Sequence, residues 1–64
     1  MVKRSAYSLI PNDAVFIEQV EGEIITHTTP ATITATWAHG PCITILTERG
    51  YVELDELDNV EVAE

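Results

Sequence analysis

The segment ATITATWA, residues 31–38, leaves a folding chain few options. Ala31, Ile33, Ala35 and Trp37 alternate with Thr32, Thr34 and Thr36, and a side-chain period of two is the signature of a β-strand. Isoleucine and threonine are branched at Cβ and lose side-chain freedom in a helix, so the helical alternative is disfavoured. The same character extends on both sides. Residues 28–47 read TTPATITATWAHGPCITILT and contain no Asp, Glu, Lys or Arg, although the chain carries a formal net charge of -8.

The remaining strands follow from β-branched runs separated by turn residues. Residues 14–20 and 23–28 form two strands joined at Glu21-Gly22, and Pro30, lacking an N–H, is expected to end the second. Ala38-His39-Gly40-Pro41 turns the chain into a strand over 42–47, with Ile43 and Ile45 on one face. Glu48-Arg49-Gly50 suits a three-residue hairpin loop closed by a left-handed glycine, which leads into a strand over 51–54. Residues 55–59 are expected to make one short helical turn near the C-terminus, capped by Asp55 and with Leu57 turned to the core. Val60 and Val62 share a face of a last short strand. Residues 1–13 form an expected extended N-terminal arm, with an extended piece near 6–10 and a turn at Pro11-Asn12-Asp13.

Sixty-four residues allow a single small domain, residues 1–64, with a thin core. Below about 70 residues one core rarely supplies more than about 3–5 kcal/mol. The expected class is all-β, a small barrel of five to six short antiparallel strands, because closure removes exposed strand edges. The order of hairpin strands, helical turn and terminal strand resembles the SH3-like small-barrel architecture in outline. The sequence carries no family motif.

Three basic residues against eleven acidic ones repel a phosphate backbone, so no direct nucleic-acid partner is expected. No apolar run approaches the length of a membrane span. Cys42 is the only cysteine and Val2-Lys3-Arg4 is followed by polar residues, which together point to the cytoplasm. His27, His39 and Cys42 fall short of a four-ligand zinc set, and Cys42 is expected to be a small buried residue. Glu53, Asp55, Glu56 and Asp58 lack the loop order that wraps calcium. With no phosphate loop and little room for a nucleophile, base and pocket, neither enzymatic activity nor a cofactor is expected.

Charge is distributed unevenly. Residues 48–64 hold seven of the eleven carboxylates and residues 24–47 hold none. The expected function is therefore a protein-interaction module with two surfaces. Glu53, Asp55, Glu56, Asp58 and Glu61 would meet a basic protein partner, in the extreme by imitating DNA phosphates as an inhibitor of a nucleic-acid enzyme. Thr32, Thr34 and Thr36, with His39 at the adjoining turn, form an unguarded strand suited to homo-oligomer formation. Trp37 shares the face of Ile33, which favours a core position over an interface anchor. The alternatives are a nucleic-acid-binding small barrel using Lys3, Arg4, Tyr7 and Arg49, or a structural assembly subunit.

Overall fold

The computed structural model describes residues 2–63. Six strands occur in the order β1 (Val2–Ser5), β2 (Ala14–Val20), β3 (Glu23–His39), β4 (Cys42–Thr47), β5 (Gly50–Asp55) and β6 (Asn59–Val62). A 3₁₀ turn, Ala6–Ser8, follows β1. All pairings are antiparallel, and the spatial order is β1-β6-β2-β3-β4-β5. The sheet is curled but open. Its ladders end at β1 and β5, and β5 reaches β2 through the amide of Glu53, which donates to Gln19 Oε1 at 2.9 Å.

The hairpins form where the turn chemistry requires them. Glu21 and Gly22 have φ of 51° and 83° between the paired Val20 and Glu23, the doubly left-handed turn that matches strand twist. Gly50, at φ 107°, closes the β4–β5 connection opposite Thr47. The buried Thr47 hydroxyl accepts from the Arg49 amide at 3.0 Å and donates to the Gly50 carbonyl at 3.2 Å, so its burial leaves no polar atom unsatisfied.

Strand β3 departs from expectation at two places, each with a physical cause. It does not end at Pro30 but runs unbroken for 17 residues. The β2 ladder passes from Ile17↔Thr26 directly to Val15↔Ala31, so residues 27–30 lie outside it and the missing proline N–H costs no ladder bond. The strand shifts there from β2 toward β4. A second irregularity falls between Ile33↔Thr47 and Ala35↔Leu46, where Thr34 is the additional residue of a bulge. One extra residue reverses the inward and outward positions of everything after it.

The core lies between the two halves of the curled sheet. Val15 and Ile17 of β2, Ile33 of β3, Ile43 and Ile45 of β4, Val52 and Leu54 of β5, and Val60 and Val62 of β6 are its strand-borne members. Complete burial of a side chain such as Ile33 or Ile45 stabilises the fold by about 1.5–3 kcal/mol. Ala6 and Leu9 complete the cluster from the N-terminal segment. Residues 6–8 are therefore a turn and not extended, because Ala6 must be buried while its amide donates to the Asp58 carbonyl at 2.8 Å. Arg4 secures this segment. It donates to the Ser8 carbonyl at 2.6 Å and pairs with the Asp13 carboxylate at 3.1 Å.

The expected helical turn at residues 55–59 is a β-turn. Asp58 N donates to Asp55 O at 2.9 Å, and the Asp55 carboxylate caps the Leu57 amide at 2.9 Å. Leu57 is 82% exposed and does not return to the core. Among the described residues no helix is long and apolar enough to cross a membrane.

Candidate binding face

Residues directly opposite one another in an antiparallel ladder project to the same side. Applied to β3, β4 and β5 beyond the Thr34 bulge, this rule gives three rows on the outer face: Ala35–Leu46–Tyr51, Trp37–Thr44–Glu53 and His39–Cys42–Asp55. None of these nine side chains is buried. The opposite side carries Ile43, Ile45, Val52 and Leu54 into the core.

Trp37 is thus on the surface, 42% exposed, and not in the core beside Ile33. The bulge places the tryptophan two strands from Tyr51, and their rings meet at a centroid distance of 6.0 Å with a 40° tilt. With His39 and Thr44 they line a shallow depression of about 400 Å³. Glu53 and Asp55 stand next along β5, on the same side as Tyr51. Cys42 is exposed in the third row, not buried, because the inward positions of β4 are taken by Ile43 and Ile45.

The bulge also divides the threonine row. Thr32 is exposed and its amide donates to the Glu48 carboxylate. Thr34 is exposed at the bulge, where its hydroxyl donates to the Leu46 carbonyl at 3.2 Å. Thr36 faces the other way, opposite Ile45, and is half-buried. The three threonines therefore do not form one surface.

The carboxylates separate in a similar way. Glu53, Asp55 and His39 come together on the outer face. Glu56 and Asp58 lie in the following turn, where the Glu56 amide donates to the Pro41 carbonyl at 2.8 Å and the Asp58 carboxylate accepts from the Asp55 amide at 3.0 Å. Glu61 sits on β6 opposite Lys3, in the other half of the sheet. Of the nine residues of the face, His39, Glu53 and Asp55 were expected at a contact surface, and Ala35, Trp37, Cys42, Thr44, Leu46 and Tyr51 were not. The alternation of Tyr51 with Glu53 was a readable signal for one of them. Trp37 required knowledge of the bulge.

Among the described residues no lysine or arginine belongs to the face itself. Lys3 and Arg4 are on β1, at the far end of the strand order, and Arg49 donates to the Thr29 hydroxyl at 2.7 Å. Among the described residues no group of three or more His, Cys, Asp or Glu side chains is placed to hold a metal ion. What remains is an aromatic pair beside two carboxylates, an arrangement that attracts positive charge through ring quadrupoles and through Coulomb forces. Comparison of the chain with protein-family models, with curated proteins and with solved structures finds no match.

Proposed function

We propose that this protein is a non-enzymatic interaction module whose outer β3–β4–β5 face takes a basic segment of another protein. The observation that carries the reading is the juxtaposition of Trp37 and Tyr51 with Glu53 and Asp55, all four exposed, on one face of the sheet. A cation over an exposed aromatic ring is worth about 0.5–1 kcal/mol, and an exposed ion pair about 0.2–1 kcal/mol. One lysine or arginine would not hold. The partner must present several cationic side chains, and the net charge of -8 steers it toward the protein from a distance.

Imitation of a nucleic-acid backbone is the broader form of this reading and draws on the same carboxylates. The narrower form is favoured because Asp58 is engaged in its own turn and Glu61 is remote from the other carboxylates, whereas the aromatic pair is ready for side chains. We further take the molecule to be SH3-like in outline, a reading supported by the consecutive order β6-β2-β3-β4-β5, the bent β3 shared by both halves and the Gln19–Glu53 link. An exposed, unpaired Cys42 suits a reducing compartment such as the cytoplasm.

Trp37 is the only tryptophan, so its fluorescence reports on the face directly. Titration with an Arg/Lys-rich peptide should change its emission, and affinity should fall as salt is added. Tyr51→Ala and Glu53→Gln should each weaken binding several-fold while leaving the fold intact. Absence of any response to the basic peptide, or tight binding of single-stranded DNA at low salt, would overturn the reading.

A further inference from the structure

Among the described residues, β3 beyond the bulge has a strand partner on one side only. The β2 ladder stops at Ala14↔Thr32, and the Asp13–Ile33 and Asn12–Ile33 backbone bonds, each 2.8 Å, end the contact on that side. Residues 34–39 pair with β4 alone. His39 and Cys42 flank the two-residue turn Gly40-Pro41 and so exchange hydrogen bonds, which makes Trp37/Thr44 the next bonded pair. The N–H and C=O groups of Thr36 and Ala38 consequently point away from β4. No other group among the described residues meets them.

Proteins usually protect such an edge with lysine, proline or an inward charge, and Thr34-Ala35-Thr36-Trp37-Ala38-His39 has none of these. A second copy of the same chain fits the edge because its free groups are self-complementary. We propose that two copies pair antiparallel through this edge, Thr36 of each opposite Ala38 of the other, with the two Trp37 residues facing one another across the two-fold axis. Thr36 and Ala38 then form the bonded positions in both chains, and Trp37 falls at the non-bonded position between them, where opposed Cα atoms lie about 4.5 Å apart.

Charge favours this occupant. Two molecules of -8 repel at most orientations, but residues 24–47 hold no charged side chain, so here the chains approach through neutral surface. On the β4 side the acidic strands, the two copies of β5, would be separated by five inter-strand spacings of about 4.8 Å, or about 24 Å. That exceeds the Debye length of about 8 Å at physiological ionic strength. On the β2 side the carboxylate beside the edge, Asp13, is paired with Arg4. The product is a continuous sheet ordered β5-β4-β3-β3-β4-β5, with both outer faces on the same side and the aromatic residues of the two copies joined in one strip.

Sedimentation from about 10 µM to about 1 mM spans the affinities expected of so small an interface. The mass of the wild-type protein should rise toward that of a dimer across this range. Ala38→Pro deletes an N–H that the β4 ladder does not use, so the variant should keep its circular dichroism spectrum and remain monomeric. A wild-type protein that stays monomeric throughout overturns the proposal, as does an Ala38→Pro variant that dimerises unchanged. Should that variant fail to fold, cross-linking decides: in a Cys42→Ser background, Trp37→Cys should oxidise readily to a covalent dimer, since its Cα separation lies within disulfide range, whereas Thr44→Cys one strand inward should not. Equal cross-linking at the two positions is the contrary result.

Discussion

At the scale of single residues, the fold depends on side chains whose loss a thin core cannot absorb. Ile33 and Ile45 are fully buried, and truncating either to alanine should cost about 2–5 kcal/mol, comparable with the entire stability expected at this size. Both variants should therefore be largely unfolded by circular dichroism at room temperature, and a cooperative transition of ordinary midpoint would contradict this placement. Trp37→Ala makes the opposite test. Despite the larger side chain removed, a surface tryptophan should cost less than about 1 kcal/mol in urea unfolding. Thr47 is an intermediate case. Its replacement by valine keeps shape but strands the Arg49 amide, with an expected cost of about 1–2 kcal/mol.

At the scale of elements, most strands were legible because their residues obey one period and their turns carry turn residues. The runs over 14–20 and 42–47 alternate or stay β-branched, Glu21-Gly22 matches the turn observed, and Gly50 is left-handed as expected, although it is already the first residue of β5 and leaves a two-residue loop, Glu48-Arg49, where three were expected. What escaped was irregularity inside β3. A bulge has no fixed sequence signature, and a single extra residue at Thr34 moved Trp37 outward and Thr36 inward, changing the candidate site from a threonine row to an aromatic pair. Pro30 misled for the opposite reason, since it is a strand breaker only where a ladder needs its N–H. Pro30→Ala should accordingly lower stability by only about 0.4–1 kcal/mol, through greater freedom of the unfolded chain, and denaturant midpoints would measure it. A large gain in stability would mean that the proline is interrupting pairing after all.

At the scale of the whole molecule, the acidic surplus sets competing responses to salt. The principal extents are 30 × 25 × 18 Å, while the Debye length is about 30 Å at 0.01 M and about 8 Å at 0.15 M ionic strength. In dilute buffer every carboxylate therefore feels the others across the molecule, and near physiological salt only neighbours interact. The Arg4–Asp13 ion pair opposes this, partly exposed and worth at most about 1 kcal/mol, with the His27–Glu18 hydrogen bond at 2.7 Å beside it among the described residues. Against eleven carboxylates and three basic side chains, repulsion should dominate. Adding sodium chloride from 0.01 M to 0.15 M, the two ionic strengths set by screening, should raise Tm and strengthen association of two copies through the uncharged β3 edge. The same addition should weaken binding of an Arg/Lys-rich peptide to Trp37, Tyr51, Glu53 and Asp55, because that contact is attraction between opposite charges. One salt series followed by calorimetry, sedimentation and tryptophan fluorescence separates these effects by sign. A Tm that falls with salt would mean that local attractions such as Arg4–Asp13 outweigh the acidic surplus, and peptide binding that ignores salt would remove the carboxylates from the recognition face.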